Sequence, residues 1–131
     1  MKAFELSTLL KLGVPYVVLF FAPITAAIIG LAVLIFFDVI TGCRAAKLRG
    51  EEIRSNRLAR TVSKIIFYSI AIILSRVMEV SFMDWMPVAK LTAGYIAIVE
   101  FKSNMENIAS ITGVDIWKHL ITKIEGWSKR A

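Results

Sequence analysis

The sequence predicts an all-α membrane protein with about three transmembrane helices and amphipathic segments at both ends. Residues 12–37 form a run of 26 residues without Asp, Glu, Lys, Arg or His. As a helix this run is long enough to cross the roughly 30 Å hydrocarbon core of a bilayer. Hydrophobic residues make up 57% of the 131 residues, more than the roughly 45–50% of soluble domains. The basic residues flank the apolar runs, as topology signals do.

Charge and cysteine content narrow the possible functions. The net charge of +6 does not indicate nucleic-acid binding, because aromatic and basic residues are not interleaved as a strand-binding groove requires. Cys43 is the one cysteine, which permits no intrachain disulfide. His119 has no second ligand at metal-binding spacing, so we expect no metal site and no cofactor. The sequence shows no nucleophile and base pair and no glycine-rich phosphate loop, so we expect no enzymatic activity.

Residues 12–37 are interpreted as the first span, and the amphipathic residues 1–11 are expected on the membrane interface before it. The run is longer than the 7–15 apolar residues of a signal peptide, so we expect no cleavage. A buried helix of a soluble protein is the other interpretation of such a run. Pro23 lies in its middle and predicts a kink, unless a neighbour satisfies the carbonyl that the proline frees.

Small residues recur at four-residue spacing in the first span, at Ala22, Ala26 and Gly30. Such a row lets two membrane helices approach closely. It predicts an oligomerisation face. The alternative is a chance pattern, since alanine is common in membrane helices.

Residues 38–60 are predicted to form a cytoplasmic loop. Between residues 44 and 64 the chain carries seven basic and two acidic residues, and such an excess marks short cytoplasmic loops. The residues assigned to topology and lipid headgroups are Arg44, Lys47, Arg49, Arg54, Arg57 and Arg60. A solvated loop that only sets topology is the alternative. Gly50 predicts a break after a helical extension of the first span, and Ser55 or Asn56 is available as an N-cap.

A second span is predicted over residues 61–82, and it contains two charged residues. Arg76 and Glu79 lie three residues apart, on one helical face. Charges at membrane depth usually face protein or water. We therefore expect them either in a shared polar seam or near the outer headgroups, where their side chains reach the interface.

The third predicted span, residues 87–109, has a polar face. A helix of this kind crosses a bilayer only if that face meets protein or a water-filled lumen. The alternative is a helix that enters the membrane and then lies on its cytoplasmic surface. The residues predicted to form the polar face or lumen are Arg76, Glu79, Glu100, Ser103, Asn104, Glu106 and Asn107.

Residues 113–131 are predicted to form an amphipathic tail. Gly113 is expected to end the third helix, and Asp115 to cap the next one. With the basic loop inside, the charge pattern predicts an outside N-terminus and a cytoplasmic C-terminus.

Two motifs resemble the toxin-secretion/phage-lysis holin family, and the likeness covers about residues 20–114. The first motif, D-x-x-T-G, lies at Asp38, Thr41 and Gly42; the second, E-x-x-S-x-x-E-N, begins at Glu100. Each is weak alone, and the two in this order are moderately specific. Ser55 and Lys64 are further matching positions. Family members often have glycines between these two residues, whereas this chain has Arg-Leu-Ala-Arg, which predicts a more helical lead into the second span.

The resemblance implies a small multi-pass protein of the bacterial inner (cytoplasmic) membrane, from a bacterium or a phage. Members oligomerise and open holes that release an endolysin or a secreted toxin. Membrane lipids, further copies of the chain, the released protein and an antiholin are the expected partners. The alternative is a non-lytic structural or regulatory, antiholin-like subunit. On the first hypothesis Glu100→Leu and Glu106→Leu abolish permeabilisation and leave insertion intact.

Overall fold

The computed structural model describes residues 2–52 and 56–130, and these residues form four helices and no strand. The helices are α1 (Lys2–Leu48), α2 (Asn56–Phe82), α3 (Val88–Thr112) and α4 (Ile116–Ser128). The predicted all-α class is confirmed. Within the described residues two stretches are long and apolar enough to cross a membrane, Gly13–Leu48 and Leu58–Phe82. The predicted number of about three is not confirmed by this measure, because α3 carries four charged residues.

Helix α1 is one continuous element of 47 residues. Residues 2–11 therefore do not form a separate segment, since the helix begins at Lys2 and continues into the apolar run. Pro23 lies inside the helix and has no N–H to donate to the carbonyl of Leu19. The next carbonyl, that of Phe20, accepts a hydrogen bond of 3.1 Å from Nε of Arg76. A side chain from α2 thus binds the backbone in the turn that the proline weakens.

The predicted loop over residues 38–60 is helical at both ends. Helix α1 extends to Leu48, because residues 44–48 are all strong helix formers. Gly50 has a φ of 73°, the left-handed conformation that glycine adopts readily, so the predicted break there is confirmed. Helix α2 begins at Asn56, which confirms the more helical lead into this span. Arg54 and Ser55 lie outside the described residues.

The connections after α2 are short. Residues 83–87 form a tight turn, and Pro87 is the N-cap of α3. Gly113 ends α3 with a φ of 74°, and its N–H donates to the carbonyl of Ala109 at 2.8 Å. Asp115 then caps α4 by accepting from the N–H of Lys118 at 2.9 Å. Both predicted caps are confirmed.

Helices α1 and α3 run parallel to each other, and α2 runs antiparallel to both. The backbone carbonyl of Phe20 in α1 binds Arg76 near the end of α2, and Asp38 binds Lys64 near the beginning of α2. Helix α3 contacts both α1 and α2 more extensively than these two contact each other. Ala89 and Ala93 are buried in the small core, and their small side chains permit this close approach. The core cluster consists of Ile24, Leu31, Ile72, Ala89, Ala93 and Ile96.

Most large apolar side chains of α1 and α2 point away from this core. Leu19 and Phe67, for example, are each 68% exposed. In the most apolar windows only 17% of the α1 residues and 6% of the α2 residues are buried, whereas the core helix of a soluble protein is mostly buried. A soluble protein rarely exposes apolar surface on this scale. The burial pattern therefore favours contact with lipid over a soluble core helix.

Candidate functional site

A polar cluster lies where α1, α2 and α3 meet. The helices bring together side chains from residues 38–41, 64–68 and 100–107. We call this set the polar cluster: Asp38, Thr41, Lys64, Tyr68, Glu100, Ser103, Asn104 and Asn107.

Glu100 is the most deeply buried charged residue of the described chain, with no exposed surface. Its carboxylate accepts two hydrogen bonds from α2, one from Nζ of Lys64 at 3.1 Å and one from the hydroxyl of Tyr68 at 2.7 Å. An isolated buried carboxylate would be strongly unfavourable. The two donors from α2 compensate this charge, so Glu100 ties α3 to α2.

Asp38 performs the corresponding role on α1. Its Oδ2 accepts from Nζ of Lys64 at 3.3 Å, while Oδ1 accepts from Ser103 at 2.6 Å and from the amide of Asn107 at 3.1 Å. One lysine therefore bridges two carboxylates that belong to different helices. The ammonium of Lys64 is the ionic link of all three helices.

Amide and hydroxyl groups complete the cluster. Asn104 donates to the carbonyl of Leu34 at 3.0 Å and to that of Glu100 at 2.8 Å. Asn107 also donates to the hydroxyl of Thr41 at 3.2 Å. Among the described residues, no buried side-chain nitrogen or oxygen lacks a partner. The cluster is thus internally satisfied, as a polar group in a bilayer must be.

A second ionic site lies at the opposite end of α2. Arg76 and Glu79 form an ion pair within one helix. Arg76 also lies over the ring of Phe20, 5.8 Å from its centre. Glu79 accepts from the N–H of Ala89 at 3.1 Å, one of the N–H groups that the start of a helix leaves free. Both residues are mostly buried, so this part of the chain favours the predicted polar seam over exposed, snorkelling side chains.

The structure brings together only part of the predicted polar face. Glu100, Ser103, Asn104 and Asn107 lie in the polar cluster, whereas Glu106 is exposed and pairs with Lys102 at 3.5 Å. Arg76 and Glu79 form their own site. The clustered part of the face is turned towards α1 and α2 of the same chain; its role in a lumen stays a prediction.

Sequence reasoning did not select Tyr68 for this site. It follows Lys64 by four residues, so the two share a helical face. A polar aromatic residue one turn after a lysine, at the start of a predicted membrane span, was the available signal. The family-motif residues Asp38, Thr41 and Lys64 are members of the cluster, and Gly42 is buried beside it.

The remaining predicted sites lie on the surface. Ala22, Ala26 and Gly30 are exposed and take no part in the core of this chain. Arg44, Lys47 and Arg60 are exposed as well, and the side chain of Arg57 lies outside the described residues. Arg49 hydrogen-bonds to Glu51 at 2.7 Å, which raises the pKa of its guanidinium. No cluster of metal-ligating side chains occurs among the residues that the structure describes.

The fold and the polar cluster define a class, that of small helical membrane proteins with a polar seam between their helices. The model of the bacteriophage holin family matches residues 16–128. This chain therefore belongs to the bacteriophage holin family, which confirms the predicted resemblance. The family is a non-enzymatic class of membrane proteins. No curated protein and no solved structure matches the chain.

Proposed function

We propose that this chain oligomerises in the bacterial inner membrane and forms holes through which an endolysin or a secreted toxin leaves the cytoplasm. The observation that carries the proposal is the polar cluster, a set of hydrogen-bonding side chains beside apolar, outward-facing helices. A hole needs both a lipid-facing surface and a water-compatible one. This chain has the first on α1 and α2 and holds the second between its helices.

We infer that α3 crosses the membrane as the third span. Asn104 and Asn107 of α3 hydrogen-bond to residues 34 and 38 of α1. At the other end of α3, Ala89 bonds to Glu79 of α2, three residues after the Arg76 that binds the carbonyl of residue 20. Residues 89–107 of α3 therefore run alongside α1 from about residue 20 to residue 38. At 1.5 Å per residue this part of α3 is about 27 Å long, close to the roughly 30 Å of a hydrocarbon core. Glu100 is the charged residue of α3 that lies furthest inside the membrane in this arrangement, and α1 and α2 cover it.

Three crossings give the topology with an outside N-terminus and a cytoplasmic C-terminus. The basic connection between α1 and α2 then lies on the cytoplasmic side together with the tail. Helix α4 continues the protein there, with Trp117 packed edge-on against Phe101 at 6.2 Å between ring centres. Its outward apolar residues suit the membrane interface.

Opening a hole requires the polar cluster to exchange partners. In the monomer Glu100 and Asn104 are buried, so the polar face of α3 reaches water only if α3 separates from α1 or α2. Association of several copies then supplies new contacts between helices on the surface that faces lipid in the monomer. The exposed row of Ala22, Ala26 and Gly30 permits close helix approach.

Expression in a bacterial host tests the proposal, with the chain produced alone and beside a cytoplasmic endolysin. We expect membrane depolarisation in both cultures and sudden lysis only with the endolysin. Glu100→Leu should insert normally and lose both effects, and Glu100→Gln, which keeps the side-chain volume, guards against a folding artefact. Depolarisation by both variants at the parental level would contradict the lumen role of this face.

Gly30 offers a test of the oligomerisation face within the same experiment. A Cβ at Gly30 or at Gly13 would meet no other atom within 4 Å, so both glycines accept a larger residue within the monomer. Gly30→Leu should reduce chemical cross-linking between copies and delay lysis, whereas Gly13→Leu, outside the row, should change neither. Equal cross-linking in both variants would exclude the row from the interface.

A second candidate function is a non-lytic regulatory, antiholin-like subunit. The complete hydrogen bonding of the polar cluster favours it, because a closed monomer needs no partner to satisfy its buried charges. Such a chain would produce no depolarisation at high expression. It would instead delay lysis when produced together with a hole-forming protein.

A further inference from the structure

A continuous groove runs between α1 and α2, and Ser103 and Asn107 of α3 close its polar end. Its apolar part is a cavity of about 320 Å³, with Leu31, Ile35, Ile65 and Ile72 among its walls. Its polar part is a cavity of about 250 Å³ beside Asp38, Arg60 and Lys64. Val39 and Thr61 line both parts, so the two cavities meet.

The dimensions of the groove match one leaflet of a bilayer. Its apolar wall on α1 extends from Ile28 to Val39, which is about 16 Å along a helix. Half of a 30 Å hydrocarbon core is about 15 Å. The apolar part therefore has the length that an acyl chain of one leaflet occupies.

The charge at the polar end selects the headgroup. Arg60 is exposed at this end and forms no ion pair with any other described residue. Lys64 also lines this end, with its side chain 29% exposed, but its ammonium is paired with Asp38 and the buried Glu100. The guanidinium of Arg60 is therefore the charge at this end that complements one phosphodiester. Arginine is well suited to phosphate because its guanidinium donates two parallel hydrogen bonds.

We propose that this groove binds one anionic phospholipid, with an acyl chain between α1 and α2 and the phosphate at Arg60. The apolar channel alone would accept any lipid or helix. Because the polar part with Arg60 adjoins this apolar channel, a negatively charged lipid is the complementary occupant. This binding does not depend on hole formation, so it is read without any measurement of permeabilisation.

Native mass spectrometry of the purified full-length chain in detergent tests the site, with dioleoyl phosphatidylglycerol and dioleoyl phosphatidylcholine as probes. We expect retention of phosphatidylglycerol in preference to phosphatidylcholine. Arg60→Gln should weaken phosphatidylglycerol binding about fivefold, the effect of one basic residue near a membrane surface. Arg44→Gln removes the same charge from an exposed position that does not line the groove, and should leave binding unchanged.

Two variants block the apolar part from opposite walls. Ala32→Phe on α1 and Ser69→Phe on α2 place a ring in the groove and should each abolish lipid retention. Val33→Phe, at an exposed position of α1 outside the groove, is the matched control, and circular dichroism verifies that all three remain helical. Equal weakening by Arg44→Gln and Arg60→Gln would overturn the proposal, as would retention by both blocked variants. A change of oligomeric state in the blocked variants, with lipid binding intact, would assign the groove to a second copy instead.

Discussion

The polar cluster and the Arg76–Glu79 site both place charges between helices, but they are built differently. In the cluster, Lys64 bridges carboxylates on two other helices, at 3.3 Å to Asp38 and 3.1 Å to Glu100. In the second site the ion pair lies within α2, and its hydrogen bonds to other helices are with backbone atoms. The ionic core of the cluster therefore consists of three side chains from three helices, whereas that of the second site consists of two side chains from one helix.

The two sites therefore have different tasks: the second site positions helices, and the polar cluster responds to their rearrangement. Backbone partners are present wherever a helix begins or a proline interrupts its bonds, so Arg76 and Glu79 position the start of α3 and the middle of α1. Side-chain partners exist only while the three helices keep their positions. The cluster is thus the site where a rearrangement of helices changes the electrostatics most.

Removing the bridging lysine should have the largest effect on stability. Lys64→Met leaves Asp38 and the fully buried Glu100 without a cation, and the loss of one partner from a buried ion pair costs about 3–5 kcal/mol in free energy of unfolding. Reversible unfolding in mixed detergent micelles measures this. Lys102→Met, an exposed lysine of α3 with a surface partner, is the control and should cost less than about 1 kcal/mol. A loss equal to that of the control would mean that Lys64 is not the ionic link of the bundle.

Removing a carboxylate from the second site should have an intermediate effect. Glu79→Ala leaves the guanidinium of Arg76 and the N–H of Ala89 without this acceptor, and we expect a loss of about 1–3 kcal/mol. Arg76 keeps the Phe20 carbonyl and ring as partners, which limits the loss. Amide hydrogen exchange should accelerate at Ala89.

Glu79→Gln is the matched variant for this site. Its amide oxygen still accepts from the backbone N–H of Ala89, so exchange there should remain slow. The ion pair with Arg76 is lost in both variants. Equal acceleration in both would show that the ion pair, and not the backbone bond, holds the start of α3.

Much of this architecture is encoded locally. The uncharged run of residues 12–37 and the apolar centre of α2 require lipid or a large core, and Gly50, Gly113 and Asp115 mark helix ends through their own conformational and hydrogen-bonding preferences. Those features were predictable. The helical extension of α1 beyond Asp38 was predictable too, but the partners of the Asp38 carboxylate were not, because they lie 26, 65 and 69 positions away.

The composition of the site required tertiary information. The helical period placed Glu100, Ser103, Asn104 and Asn107 on one face, but it did not reveal that α1 and α2 cover this face. Tyr68 belongs to a predominantly apolar helix and becomes significant only through its hydrogen bond to Glu100. The helical period itself places Glu106 more than a quarter of a turn away from this face, in agreement with its exposure.

The exposed position of Glu106 gives the smallest expected effect on stability and a direct test of the lumen hypothesis. Its side chain is 61% exposed and pairs with Lys102 one turn away, so Glu106→Leu should change the free energy of unfolding by no more than about 0.5 kcal/mol. We nevertheless expect it to abolish depolarisation, if the polar face of α3 lines the hole. Because Glu106 supports no packing within the monomer, such a loss arises in the assembled state and not from misfolding. Parental depolarisation would remove Glu106 from the lumen and restrict the functional polar surface to the buried cluster.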